Sequence, residues 1–300
     1  MNGIKTMDAR SFFKKLDRVS DLPTLPTVVV KVNQLLRDYD TSVKKLGATI
    51  EKDQALVARI LKLVNSTFYG FSSKIRNINH AVIILGFNTI RNAIVSVSLV
   101  KALSGHRSLE GFDITEFWRH SIAVAVTSRY LSEHSRLDVP DDCFVAGLLH
   151  DIGKVILSQY LTESFAQVWE LARREGLSFY AAEEKLLPVN HAQIGGHLTK
   201  RWLFPPSLTD SITYHHAIRK SIINLNQLLI VHAADGIVNS YKADSGISTD
   251  LSSVNPQARE ALSRELDNVS GWFQEIAPEI DSACEFFLHE DNLSVSHSEV

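Results

Sequence analysis

Histidines and carboxylates recur through the second half of the sequence at places where the neighbouring residues are apolar. His150 and Asp151 stand side by side in CFVAGLLHDIGKVILSQ, residues 143–159. Burying two ionisable groups in such a stretch costs free energy unless each finds a partner. A metal ion is one partner. A hydrogen-bonded histidine–aspartate pair in the core is the other, and the dipeptide by itself favours that plainer reading. Lys154, one helical turn on, can pair with Asp151 or hold an anionic oxygen. In TEFWRHS, Glu116 and His120 are four apart and share a helix face, which suits a surface pair as well as a shared ligand. His191 follows Asn190, a natural N-cap, and by position alone is a polar first-turn residue. His215 and His216 form YHH at an expected helix end, where the dipole by itself favours an imidazole. Asp235 lies in IVHAADGIV and needs a partner, for which His232, one turn earlier, is a candidate.

Together these residues supply imidazoles and carboxylates, the donors that suit iron, manganese, nickel or zinc. One carboxylate can bridge two such ions, and a pair of ions activates a water and holds a phosphate. That chemistry requires the helices carrying the residues to converge, which spacing alone does not establish.

The elements that must position them are helical, and the fold class expected is all-α. After the breaker run LPTLPT, apolar residues repeat at helical spacing over 28–36. Asp53 is the expected N-cap of a helix reaching Ser66. Asn79 is read as the cap of HAVIILG, Gly86 as its close, and Asn88 as the start of a helix to Leu103. A polar connection at 105–112 marks the main internal division. Helices are then expected at 115–134, 141–160, 161–175, 178–186, 191–201, 207–216 and 222–240. Residues 241–256 read as loop, 257–288 as one or two closing helices, and the residues from Glu290 as frayed. In NSTFYG, Asn65 and Ser66 end a helix while Phe68 and Tyr69 fill core. Trp118, Trp202 and Phe204 are read as packing residues.

Bulk properties narrow the classes. The 300 residues, 45% hydrophobic and 22% charged, are those of a globular protein. The net charge of −3 lacks the basic footprint of a nucleic-acid binder. Two cysteines without a CxxC pair argue against a disulfide framework or a thiolate zinc site, and suit a reducing cytoplasm. The N-terminus has no apolar signal region. The apolar stretch 81–103 is interrupted by Asn88, Arg91 and Asn92, which favours a buried helix pair over a membrane span.

The order His120, His150-Asp151, Asp235 resembles the H…HD…D signature of the HD superfamily of metal-dependent phosphohydrolases. More specifically, the chain resembles an HDOD domain, the HD-related output domain of bacterial signalling proteins. The likeness covers residues 22–240. It rests on LPTLP, DQALVARILKLVNSTFYG, INHAVIILGFNTIR, FWRHS, AGLLHDIGK, NHAQIGGHLTKRWLFPPSLTDSITYHH and HAAD. It implies two packed helical halves, 22–104 and an HD-like 105–240, preceded by an extension (1–21) and followed by a loop and closing helices (241–300). It implies one or two transition-metal ions held by Glu116, His120, His150, Asp151, His191, His215, His216 and Asp235. Lys154 matches a lysine that touches substrate phosphate in the related HD-GYP proteins, which hydrolyse cyclic di-GMP. In any catalytic version, Asp151 and Lys154 are the catalytic pair. The sequence departs from HD-GYP after His216, where AIRKSIINLNQLLIVHAAD carries no GYP loop.

The functional expectation is therefore a signalling output module with a metal-binding HD-like site, acting through a signalling protein partner or a nucleotide. The alternative is a metal-dependent phosphohydrolase acting on a nucleotide or other phosphoester. A DNA-binding regulator is least favoured, given the acidic net charge and no clear helix-turn-helix.

Overall fold

The computed structural model describes residues 8–19, 22–36, 38, 40–66, 74–104, 112–219, 221–242, 246–247 and 251–288. The expected all-α architecture is what it shows. The one exception among the described residues is a two-residue antiparallel pair, β1 (Tyr241–Lys242) with β2 (Gly246–Ile247), inside the segment expected to be loop. Phe68, Tyr69, most of the 105–112 connection and the residues from Glu290 lie outside the described residues.

The first half comprises α2 (Thr27–Leu35), α3 (Val43–Ile50), α4 (Gln54–Val64) and α5 (Ile78–Ser104). Asp53 caps α4 as expected, accepting from Leu56 N at 3.0 Å. Asn65 ends α4 and exchanges hydrogen bonds with both backbone groups of Ile75. The cap of α5 is Asn77 and not Asn79: the Asn77 side chain accepts from His80 N at 2.8 Å. Gly86 separates two helical runs, as its position suggests. It does so by bending α5 with φ 83°, a backbone conformation that glycine adopts at no steric cost. Helix α3, which the periodicity reading passed over, packs on α5.

The second half runs α6 (Ile114–Ser135), α7 (Pro140–Leu149), α8 (Ile152–Tyr160), α9 (Thr162–Glu175), α10 (Phe179–Leu186), α11 (His191–Arg201), α12 (Pro206–Tyr214) and α13 (Leu225–Ser240). Three closing helices follow: α14 (Pro256–Ala261), α15 (Ser263–Leu266) and α16 (Val269–Leu288), the last packed along α6. Trp118 is fully buried and Phe204 nearly so, as their packing role requires.

Helix α5 has the length and hydropathy of a membrane span. Its polar residues are used inside the protein instead, where they join the halves. Thr89 Oγ1 donates to Asp141 Oδ2 at 2.6 Å, and Asn92 Nδ2 donates to Asp142 Oδ1 at 2.7 Å. Arg91 reaches the same Asp142 oxygen at 3.3 Å. Both aspartates lie in the first turn of α7, where carboxylates also complement the helix dipole. One apolar core runs through both halves, from Ile60 and Ile94 to Leu148 and Ile152.

The extension is a structured part of this assembly. Helix α1 (Ala9–Asp17) buries Phe12 and Leu16 in a second core with Ile156, Phe165 and Leu198. Asp17 accepts from His197 and Arg201 of α11, each at 2.8 Å. Residues 8–19 thus pack on α11 and the helices beside it.

Candidate metal centre

Residues 141–160 do not form the single helix that their apolar run suggests. Helix α7 stops at Leu149 and α8 starts at Ile152, so His150 and Asp151 occupy a turn between them. A close packing contact follows two residues after Asp151. Helices α8 and α11 approach so closely at Gly153 that a Cβ there would overlap the His191 carbonyl oxygen. This contact brings the start of α11, and with it His191, over Asp151. Asn190 caps α11 through a reciprocal capping box with Gln193, both bonds at 3.0 Å. Pro206 opens α12, whose C-terminal end delivers His215 and His216.

The two oxygens of Asp151 face different histidines. Oδ1 lies 2.9 Å from His191 Nε2 and 3.5 Å from His215 Nε2. Oδ2 lies 3.3 Å from His150 Nε2, 3.9 Å from His120 Nε2 and 2.5 Å from Lys154 Nζ. Asp235 Oδ1 lies 3.2 Å from His120 Nε2 and 3.5 Å from His150 Nε2. Two groups result: Asp151, His191, His215 and His216, and His120, His150 and Asp235. Each offers donor atoms within 4.8 Å of one another. If ions were bound to both groups, Asp151 is the residue whose two oxygens would face them.

The rings are held with Nε2 pointing inward. His150 Nδ1 donates to the Gly147 carbonyl at 2.7 Å and His215 Nδ1 to the Ile212 carbonyl at 2.8 Å. A carbonyl oxygen can only accept, so Nδ1 carries the proton and Nε2 of the neutral ring keeps its lone pair. His150 Nε2, His215 Nε2 and Asp151 Oδ1 are buried without a hydrogen-bond partner. With the rings neutral, as a bound ion would leave them, three buried lone-pair atoms converge in one place, which matches what a transition-metal ion requires, and the imidazole–carboxylate donor set fits such an ion.

The electrostatics agree. Asp151, Asp235 and Glu183 place three carboxylates beside one ammonium, Lys154. Burial opposes ionisation of Asp151, but His150, Lys154 and His191 outweigh it and hold its pKa well below the ordinary value. Asp235 is held down likewise by His120 and His150 against its burial. Burial pushes His150 down, yet the Asp151 carboxylate prevails and raises it to about 10. His215 is pushed down to about 4, chiefly by burial, and His216 far below its usual value for the same reason. Lys154 is raised because Asp151 outweighs its desolvation. The carboxylates thus stay ionised and draw positive charge, whether protons on some of the rings or a divalent ion.

Of the residues singled out in the sequence, His120, His150, Asp151, Lys154, His191, His215, His216 and Asp235 come together. Glu116 does not: its side chain is 71% exposed in the first turn of α6 and pairs with Arg119 at 3.5 Å. His232 is not the partner of Asp235. Its Nδ1 donates to the His215 carbonyl and its Nε2 accepts from Asn255 N, while Asn239 donates to Asp235. The sequence reading missed Glu183, which is fully buried against His191. Its signal was present, since Glu183 interrupts the helical apolar stripe formed by Phe179, Ala182 and Leu186.

Residues 22–218 match the HDOD domain family, and the chain belongs to that family. A protein of Treponema pallidum (strain Nichols), itself uncharacterised, is 25% identical over 214 residues, 71% of this chain and 41% of that protein. The chain therefore spans less than half the length of that relative. An HDOD domain protein of unknown function from Geobacter sulfurreducens has a similar structure, with TM-score 0.74 and 27% identity, over 92% of this chain and 97% of that one. A Shewanella amazonensis SB2B protein, named provisionally as a phosphohydrolase, shares the fold at TM-score 0.71 and 23% identity, over 91% and 97% of the two chains.

Proposed function

We propose that the chain is a signal-transduction output module whose HD-like half binds one or two transition-metal ions. The ligands are His120, His150, Asp151, His191, His215, His216 and Asp235. The observation that carries this reading is the convergence of the orphaned His150 Nε2, His215 Nε2 and Asp151 Oδ1 in one buried place. Bound ions would supply Lewis acidity and lower the pKa of a coordinated water. The output role draws on membership of the HDOD family, and its partner is a signalling protein or a nucleotide.

A second reading, hydrolysis of a phosphoester at the same ions, is favoured by Lys154. Asp151 fixes its ammonium, and 24% of the side chain remains exposed, so a positive charge stands at the rim of the cluster. An anionic oxygen arriving there would meet it.

Elemental analysis of untagged protein tests the binding reading. About two equivalents in wild type, lost in Asp151→Ala, is the expected result for a bridged pair. Protein that stays metal-free after anaerobic reconstitution would overturn it. A phosphoester panel on loaded protein separates the second reading from the first.

A further inference from the structure

The histidines of the cluster are oriented in two different ways, and the difference follows from where each sits on its helix. His150 and His215 come directly after α7 and α12. The carbonyl three residues back, Gly147 or Ile212, lies in the last turn of the helix and is free to accept from Nδ1. His191 is the first residue of α11 and has no helix carbonyl behind it. Its backbone N–H is also one of the unpaired donors of a helix N-terminus.

Glu183 meets both needs. Its Oε1 accepts from His191 N at 2.9 Å and its Oε2 accepts from His191 Nδ1 at 2.5 Å. The side chain is fully buried, so no water substitutes for it. Only a carboxylate offers two acceptors in this disposition with no donor. Resting on the metal-site reading above, we infer that Glu183 is the positioning residue of His191. It clamps the ring and the backbone of the same residue and so fixes the proton on Nδ1 and the lone pair of Nε2 toward Asp151. An outer carboxylate on a ligand histidine also strengthens that ligand as a donor.

The prediction is sharpest for Glu183→Gln, which keeps size and loses one acceptor. With its oxygen on the His191 N–H, the amide NH2 faces Nδ1. The ring proton then moves to Nε2, the atom that faces Asp151. Two readouts follow. In metal-free protein with 15N-labelled histidine, nitrogen–proton correlations report which ring nitrogen carries the proton, with His191 assigned through a His191→Asn variant. In a titration with Co2+, visible absorption reports affinity and coordination.

Wild type is expected to show His191 protonated at Nδ1. Glu183→Gln is expected to show it at Nε2 and to bind Co2+ about 10- to 100-fold more weakly. Glu184→Gln is the control: the neighbouring carboxylate accepts from Asn190 instead, so it leaves the His191 ring unchanged. A wild-type His191 protonated at Nε2 with Nδ1 bare overturns the inference even if the variant fails to fold. So does a Glu183→Gln protein with the wild-type tautomer and wild-type Co2+ affinity, or an equal effect from Glu184→Gln. If wild type binds no Co2+ at all, the metal reading fails, and the ring tautomer still decides whether Glu183 sets His191.

Discussion

The Nε2 atoms of His191 and His216 stand 3.0 Å apart. Because Glu183 accepts a hydrogen bond from Nδ1–H of His191, the ring in its neutral form can only accept at Nε2. At most one proton therefore fits between the two rings, and their shared space faces Asp151. Two imidazoles drawn this close beside a carboxylate form a pocket that prefers a cation.

Removal of metal is expected to lower stability. A ligand bound only by the folded state, at a hundred times its Kd, stabilises by about 2.7 kcal/mol. For a chain of this size that corresponds to a melting temperature about 5 °C higher. Thermal melts of reconstituted protein with and without chelator measure the difference. Identical curves for protein shown to contain metal would contradict the convergence of the site.

Gly153→Ala is expected to push α8 away from α11 by placing a methyl group on the His191 carbonyl oxygen. Overpacking of this kind costs about 1–3 kcal/mol, and here it also separates Asp151 from His191. Denaturant unfolding and metal content are expected to fall together. A variant with full metal content and wild-type stability would show that the close approach is not needed.

Asp142→Ala removes the acceptor shared by Arg91 and Asn92. The Arg91 side chain is only 19% exposed, and burial already disfavours its charge. Leaving it without Asp142 is expected to cost about 1–3 kcal/mol. Arg91→Met combined with Asp142→Ala is expected to recover part of that loss, because no charge is then stranded. A double variant as unstable as the sum of the two single variants would remove the pair from the account.

The contact of α1 with α11 carries a pH dependence. Asp17 is held below its ordinary value of 3.8, first by its hydrogen bond from His197 and further by Arg201. A depressed folded pKa means stabilisation that is present above pH 3.8 and is lost as pH falls through the lower folded value. With 42% of the Asp17 side chain exposed, the effect is below about 1 kcal/mol. Urea unfolding of wild type and Asp17→Asn is expected to show a gap at pH 5 that narrows at pH 3. A gap that widens on acidification would reverse the sign.

Much of this was legible in the residues. The capping of α4 by Asp53 and of α11 by Asn190 follows from local chemistry that a sequence displays directly. The cluster histidines were visible because each is an ionisable group in an apolar setting. What escaped depends on contacts between distant segments. The turn at His150–Asp151 is hidden because residues 141–160 keep a helical apolar pattern throughout. The packing of Gly153 against α11, which sets His191 beside Asp151, is equally hidden, because its partner lies some forty residues later in the chain. Glu116 carries the right spacing from His120 for a shared face, yet spacing does not say whether that face turns inward at the first turn of α6. Asn77 and Asn79 are equally plausible caps on paper, and only the position of His80 N separates them.

Helix α7 begins at the aspartates that grip α5 and ends at the residue before His150. No loop intervenes over those ten residues, which form a rod about 15 Å long. A flexible connection would absorb a shift between the halves, whereas a rod passes it on. Any sliding of the first half that keeps hold of Asp142 must therefore alter the bite of the His150 and Asp151 pair on whatever they grasp.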